Sequence, residues 1–215
     1  MYYTANKENE MKEYHKIQSI YKRDEQTHKF IEGEWSVPEF EYLKDNQWQF
    51  TEKIDGTNVR VHWDKERVTF GGRTDNAQMP TFLVSKLQEL FPESKFLGLY
   101  PDIAMTLYGE GYGARIQKGG GNYMSNGVDF ALFDVFIDTW WLSRENIEDI
   151  AQKLEIKTVP VIGTGTISDA ITLIRNGLKS RYGDFQAEGL VIKPLTELFN
   201  RKGNRIISKL KTKDF

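Results

Sequence analysis

A lysine, an acid and a glycine stand close together in Glu52-Lys53-Ile54-Asp55-Gly56-Thr57-Asn58, where an apolar-flanked strand is expected to run into a tight turn. A lysine acts as a nucleophile only as the neutral amine. Its ammonium, with a reference pKa of about 10.4, must therefore be destabilised by desolvation or by neighbouring cations. Alone, these letters are weak, since a surface hairpin with a chance lysine produces them too. Four more segments follow in order: Glu110 within Tyr108-Gly-Glu-Gly-Tyr-Gly113, Phe133-Asp134 inside an apolar run, Glu188-Gly-Leu-Val-Ile-Lys193, and Lys209-Leu-Lys-Thr-Lys-Asp-Phe215.

Composition narrows the chemistry further. The 215 residues include no cysteine, which excludes a disulfide framework, a thiol nucleophile, an Fe–S cluster and a thiolate zinc site. The three histidines, His15, His28 and His62, match no metal-ligand spacing, so a catalytic metal is expected to be a hard cation held by oxygens. No apolar run approaches the ~20 residues needed to cross a bilayer, and Met1 to Lys12 is polar; a cytoplasmic protein with no membrane partner is the expectation. The net charge of −2 hides an asymmetry. Glu32 to Asp55 holds seven acids against two lysines, whereas Arg201 to Phe215 holds six Lys or Arg against Asp214. Such a basic segment is either a solvated tail or a face for polyanions.

The elements that position these residues follow from periodicity. Alternation predicts a strand over Trp48–Ile54, a turn at Asp55–Asn58 and a return strand at Val59–Trp63, then Arg67–Phe70, the whole forming an antiparallel meander. Further strands are expected at Ile103–Tyr108, Val128–Ile137 and Gly189–Lys193. Helical spacing marks 80–91, Arg144–Leu154 and Ser168–Leu178, the last with Ser168 or Asp169 as N-cap. A final hairpin turns at Asn200–Gly203 and leads into 205–211. No repeat, low-complexity segment or linker divides the chain. An α+β fold with antiparallel β-sheets flanked by helices is expected, as one domain over 1–215 with residues 1–13 loosely packed or disordered. With no G-x-G-x-x-G after a strand and no G-x-x-x-x-G-K-[ST], dinucleotide folds and P-loop chemistry are disfavoured.

The five segments together resemble the covalent nucleotidyltransferase superfamily of polynucleotide ligases and mRNA capping enzymes, and within it the phage-type ATP-dependent RNA ligases. The resemblance runs from about Tyr14 to Phe215. It rests on K-x-D-G at Lys53–Gly56, G-E-G at Glu110, F-D at Phe133-Asp134, E-G-x-V-x-K at Glu188–Lys193 and K-x-K-x-x-x-F at Lys209–Phe215. It implies the ATP-grasp-like adenylyltransferase domain of nucleic-acid ligases, without a C-terminal OB or other accessory domain.

It further implies that Lys53 attacks the α-phosphorus of ATP to give lysyl-AMP. AMP then passes to an RNA 5′-phosphate, and a 3′-OH displaces it. By the same resemblance Lys209 and Lys211 are catalytic cations on the α-phosphate, and Glu188 orders Mg²⁺, with Mn²⁺ as a substitute. The nucleotide contacts so implied are Glu52, Lys53, Asp55, Gly56, Asn58, Arg73, Glu110, Phe133, Lys209 and Lys211. Glu110 takes the ribose and Phe133 stacks on adenine. Phe130 and Phe136 share that apolar strand, so which ring faces a nucleotide stays open. Lys118-Gly-Gly-Gly-Asn-Tyr123 reads as a flexible phosphate-contacting loop or a plain surface loop, and Trp140-Trp141 as a base-stacking pair or as packing.

RNA with 5′-phosphate and 3′-OH ends is the expected partner, because DNA ligases and capping enzymes carry arginine where this chain has Asn58 and continue into a barrel beyond the last motif. A monomer is expected that adenylylates itself, while efficient end-joining is expected to need a partner that supplies RNA-end binding, an unusually basic surface, or nicked or pre-adenylylated substrates. The alternatives are a minimal ATP-dependent DNA ligase and a non-catalytic RNA- or nucleotide-binding relative.

Overall fold

The computed structural model describes residues 11–215. The described residues divide into two compact units, one of residues 11–14 and 55–158, the other of residues 15–54 and 159–215.

The second unit is built on a five-stranded sheet in the order Gln18–Ser19, Ser208–Lys211, Gly189–Pro194, Trp48–Lys53, Val161–Gly165. All neighbours are antiparallel except Gln18–Ser19, which runs parallel to Ser208–Lys211. Trp48, Phe50, Leu190, Ile192 and Leu210 point to one face and bury against Ile167, Ala170, Ile171 and Ile174 of the helix Ile167–Arg175. That helix starts one residue before the expected span, and its N-cap is Thr166 rather than Ser168 or Asp169. The Thr166 side chain accepts from Asp169 N–H while the Asp169 carboxylate accepts from Thr166, a reciprocal capping box. A smaller two-stranded sheet pairs Tyr21–Arg23 with Phe30–Trp35.

The first unit carries a larger sheet in the order Lys157–Thr158, Val128–Ile137, Met105–Gly113, Thr57–Trp63, Val68–Gly71, with Trp140–Trp141 folding back on Val128–Ile137. Val59, Val61, Trp63, Leu107, Phe130 and Leu132 form one face of its core, covered by the helices Thr81–Leu90, Glu93–Leu99 and Arg144–Leu154. The strand Val128–Ile137 and the helix Arg144–Leu154 have the expected bounds. Glu93–Leu99 was not expected: Pro92 ends one helix and serves as N-cap of the next.

The expected hairpin between Trp48–Ile54 and Val59–Trp63 does not form. Each strand has both neighbours elsewhere: Trp48–Lys53 lies between Gly189–Pro194 and Val161–Gly165, and Thr57–Trp63 between Met105–Gly113 and Val68–Gly71. Period-2 alternation reveals which face of a strand is buried but not which strand it pairs with. The division between the units therefore falls at Ile54–Asp55, inside the K-x-D-G segment.

The expectation for residues 1–13 lies mostly outside the described residues. Of those described, the Met11 carbonyl accepts from Arg60 and Glu13 accepts from Asp75 N–H. Among the described residues no helix is long and apolar enough to cross a membrane.

One titratable group is set by this packing. His62 is buried on the sheet face opposite the helices, and desolvation pushes its pKa below the ordinary value. The unfolded chain then binds more protons than the folded one below about pH 6.5, so stability falls as the pH drops through that range. His62→Gln is expected to flatten the melting temperature between pH 7 and 5, checked by thermal melts across that range; an equally steep fall would assign acid sensitivity to other groups.

Candidate active site

In the five-stranded sheet the strands Trp48–Lys53, Gly189–Pro194 and Ser208–Lys211 lie side by side, with Gly189 paired to Lys53 on one edge and to Lys211 on the other. This register sets Lys53 and Lys211 at the same level on the half-exposed face, flanking the residue before Gly189. Glu188 takes both. Lys53 Nζ donates to Glu188 Oε2 at 2.7 Å, and Lys211 Nζ lies 2.7 Å from Oε1. The three side chains are between 17% and 27% exposed, open enough to meet a ligand yet sheltered enough for their charges to count. Lys209, two residues from Lys211, shares that face, as does Lys193. Four lysines and one carboxylate thus stand on one sheet face.

Glu52 follows the same alternation. Adjacent to Lys53 in a strand, it points to the opposite face, is buried, and accepts from Ser180 Oγ at 2.5 Å and Arg181 N–H at 2.8 Å. Both of its side-chain oxygens are engaged in holding the 180–181 turn, away from the Lys53–Glu188–Lys211 cluster.

Gly189 explains the glycine that follows the motif glutamate. A Cβ there would stand 1.9 Å from the Leu210 carbonyl oxygen and 2.9 Å from Lys211 Cα. Backbone cannot yield as a side chain does, so Gly189→Ala is expected to force the two strands apart at the level of the Lys53–Glu188–Lys211 cluster. The expected cost is about 1–3 kcal/mol of stability, with loss of any activity of the cluster. Gly163→Ala, whose Cβ meets nothing within 4 Å, is the control and should stay within ~0.5 kcal/mol by chemical denaturation.

In the other unit Asn58 and Glu110 are directly paired across adjacent strands. Glu110 is the one half-exposed residue in the otherwise buried strand Met105–Gly113. Asn58 Oδ1 is buried and has no hydrogen-bond partner among the described residues. Gly56 packs on this pair: a Cβ would stand 2.4 Å from the Gly111 carbonyl oxygen and 2.7 Å from Glu110 Cγ. The K-x-D-G and G-E-G segments are therefore fitted to one another, and only glycine lets them approach so closely. Asp55 N–H donates to the Tyr123 hydroxyl at 3.1 Å, and the Gly56 carbonyl accepts from Gln117 Nε2 at 3.0 Å.

Tyr123 and Gln117 were not expected to touch this turn. Neither was the order of the glycine segment: Gly120–Tyr123 is a helical turn whose Gly120 leaves no room for a Cβ against the Gly113 carbonyl oxygen, 2.0 Å away. The flexible loop expected at 118–123 is a packed turn at this point.

Of the three candidate rings, Phe130 is fully buried in the core, in edge contact with Phe91. Phe133 falls where the pairing slips, since Tyr108 faces Asp134 and Gly109 faces Leu132. This bulge leaves Phe133 half-exposed, its ring 5.1 Å from Tyr14. Phe136 lies beneath Lys12 Nζ, 4.0 Å from its ring centre, and beside Trp141. Trp141 packs on Tyr14, Tyr108 and Phe136, while Trp140 is 70% exposed, so the pair divides between packing and surface.

Arg73 is exposed in the turn after Gly72. The turn is anchored by Arg60, a residue the sequence reading passed over: almost fully buried, it donates to the Gly72 carbonyl, the Met11 carbonyl and Asp75 Oδ1 at 2.7, 3.0 and 2.8 Å. An arginine in an alternating strand is the signal that was available, because a buried guanidinium demands several acceptors.

Among the described residues no three His, Asp or Glu side chains converge to cage a metal ion. Glu188, flanked by lysines, is a carboxylate of the kind that shares a hard cation with water and phosphate oxygens rather than enclosing it.

Within its unit, the lysine-rich sheet face around Glu188 is a concentration of positive charge of the kind that attracts anions. Comparison with solved structures agrees in fold. Naegleria gruberi RNA ligase with pyrophosphate matches 96% of this chain and 60% of that one, at 18% identity and a TM-score of 0.64. A variant of the same ligase with ATP and Mn matches 83% of this chain and 55% of that one, at 20% identity and a TM-score of 0.65. This chain spans little more than half the length of those relatives. The RNA ligase family model matches residues 46–211, and the chain belongs to that family.

Proposed function

We propose that the chain is an ATP-dependent RNA ligase that works through a lysyl-AMP at Lys53. The observation that carries this reading is the Lys53–Glu188–Lys211 cluster, three motif residues held at one level of a sheet within a family match of residues 46–211.

The neutral amine of Lys53 attacks the α-phosphorus of ATP. A P–N bond forms, the bond to the β-phosphate oxygen breaks, pyrophosphate leaves, and the amine proton goes to solvent. The RNA 5′-phosphate oxygen next attacks the same phosphorus; the P–N bond breaks and Lys53 regains its proton. The 3′-OH then attacks the 5′-phosphorus and AMP leaves.

Lys211 and Lys209 neutralise phosphate charge during these displacements, where positioning and electrostatics provide most of the rate. Glu188 would hold Mg²⁺ or Mn²⁺, which supplies charge neutralisation at the phosphates when bound. Glu188 also aligns the Lys53 Nζ through their 2.7 Å contact. Asn58 and Glu110 offer an acceptor pair for the nucleoside, with Phe133 as the half-exposed ring and Asp55 and Gly56 shaping the turn before them. Arg73 would meet a phosphate, a role supported by its exposure in a turn held by Arg60.

Incubation with α-labelled ATP and Mg²⁺ tests the reading. Label should become covalently bound, acid-labile and reversible by pyrophosphate, and should then move to a 5′-phosphorylated RNA. Absence of covalent label would overturn it.

A further inference from the structure

The unit that carries Lys53 has a second cationic feature. A groove of about 500 Å³ runs between the segment 16–23 and the segment 209–214. Its walls present Lys16, Lys22, Arg23, Lys209, Lys211 and Lys213. Its only acid among the described residues is Asp214, already bound by Arg23 at 2.6 Å. Glu34 lies 3.5 Å from Lys22, but both are more than half exposed, and such a pair offsets little charge.

The groove is built by elements distant in sequence. Gln18–Ser19 pairs in parallel with Ser208 and Lys209, Ser208 Oγ donates to the Gln18 carbonyl at 3.1 Å, and the Arg23–Asp214 contact ties the turn that carries Lys213 to the opposite wall. Asp214 lies on Arg23 and Glu188 on Lys211, and holding the six cations together costs self-repulsion that a bound polyanion relieves. The groove also opens from the reacting cluster, because Lys211 lines it and at the same time bonds Glu188, which bonds Lys53.

We infer that this groove takes the phosphate backbone of the RNA strand that receives AMP, an inference that rests on the ligase reading. Lys209 and Lys211 stand roughly 6.7 Å apart along their strand, Lys213 continues the series, and Lys16 and Lys22 face them from the other wall. A single pyrophosphate engages one end of such a track, whereas several consecutive phosphates engage its length. The contacts are to phosphates, so the groove adds affinity without reading bases.

The test is the triple variant K16A/K22A/K213A. Binding of a 5′-phosphorylated single-stranded RNA is measured by fluorescence anisotropy over a salt series, beside the rate of lysyl-AMP formation from ATP. The variant is expected to weaken RNA binding at least tenfold at low salt. The slope of log affinity against log salt should fall by about 2, for three contacts of ~0.7 each. Lysyl-AMP formation should change less than twofold. The charge-matched control K29A/K44A/K202A should leave RNA binding within threefold.

Unchanged RNA binding and salt slope in the triple variant, or an equal loss in the control, would overturn the inference. A parallel loss of lysyl-AMP formation would overturn it too, by assigning the groove to the ATP phosphates. If the unmodified chain binds RNA through the groove but forms no lysyl-AMP, the ligase reading fails and the groove stands.

Discussion

Lys53→Ala and Lys53→Arg are both expected to reduce covalent AMP labelling at least ~10³-fold, to the level of the background reaction. The two substitutions separate chemistry from architecture. Alanine removes the amine and leaves Glu188 bound to Lys211 alone. Arginine keeps the positive charge and can still pair with Glu188, but a guanidinium is protonated at any accessible pH and cannot supply a lone pair. Lys53→Arg should therefore retain a melting temperature near that of the parent and still bind ATP by equilibrium dialysis, while forming no adduct. Both variants should seal a pre-adenylylated RNA, because that displacement does not pass through the Lys53 amine. Adduct formation by Lys53→Arg would show that another group is the nucleophile.

Glu188→Gln and Glu188→Ala are expected to slow lysyl-AMP formation by about 10²-fold, with a raised requirement for Mg²⁺. The expectation comes from the double contact at 2.7 Å to Lys53 and to Lys211. Without the carboxylate, two ammonium groups face one another and neither is held in line. A slower reaction would show that Glu188 orients Lys53 and contributes to metal binding. Metal titration of the initial labelling rate is the measurement. An unchanged rate and unchanged Mg²⁺ dependence in Glu188→Gln would remove Glu188 from the site.

Much of the candidate site was legible because its parts are short and chemically unusual: a lysine before Asp-Gly, a glutamate before an apolar strand, two lysines alternating with leucine. Alternation also predicted the buried face of Trp48–Lys53. What could not be read is mostly pairing. The strands on either side of Asp55–Gly56 looked like a hairpin, yet each has its neighbours in a different sheet, and local period carries no information about partners. The bulge that leaves Phe133 half-exposed while Phe130 is in the core is of the same kind, since it depends on the register against Met105–Gly113.

Glu52 is different. Its turn away from Lys53 follows from a strand's period of two, and the sequence already held that answer. Arg60, Tyr123 and Gln117 act through single long-range hydrogen bonds, for which a sequence offers only the residue type.

The central claim is that the Lys53 amine carries AMP. The direct measurement is peptide mapping by mass spectrometry of the protein incubated with ATP and Mg²⁺, digested at neutral to alkaline pH to preserve the phosphoramidate. A single AMP on the peptide containing Lys53, removed by prior treatment with pyrophosphate, is the predicted result. AMP on any other residue, or an adduct that pyrophosphate does not reverse, would contradict it.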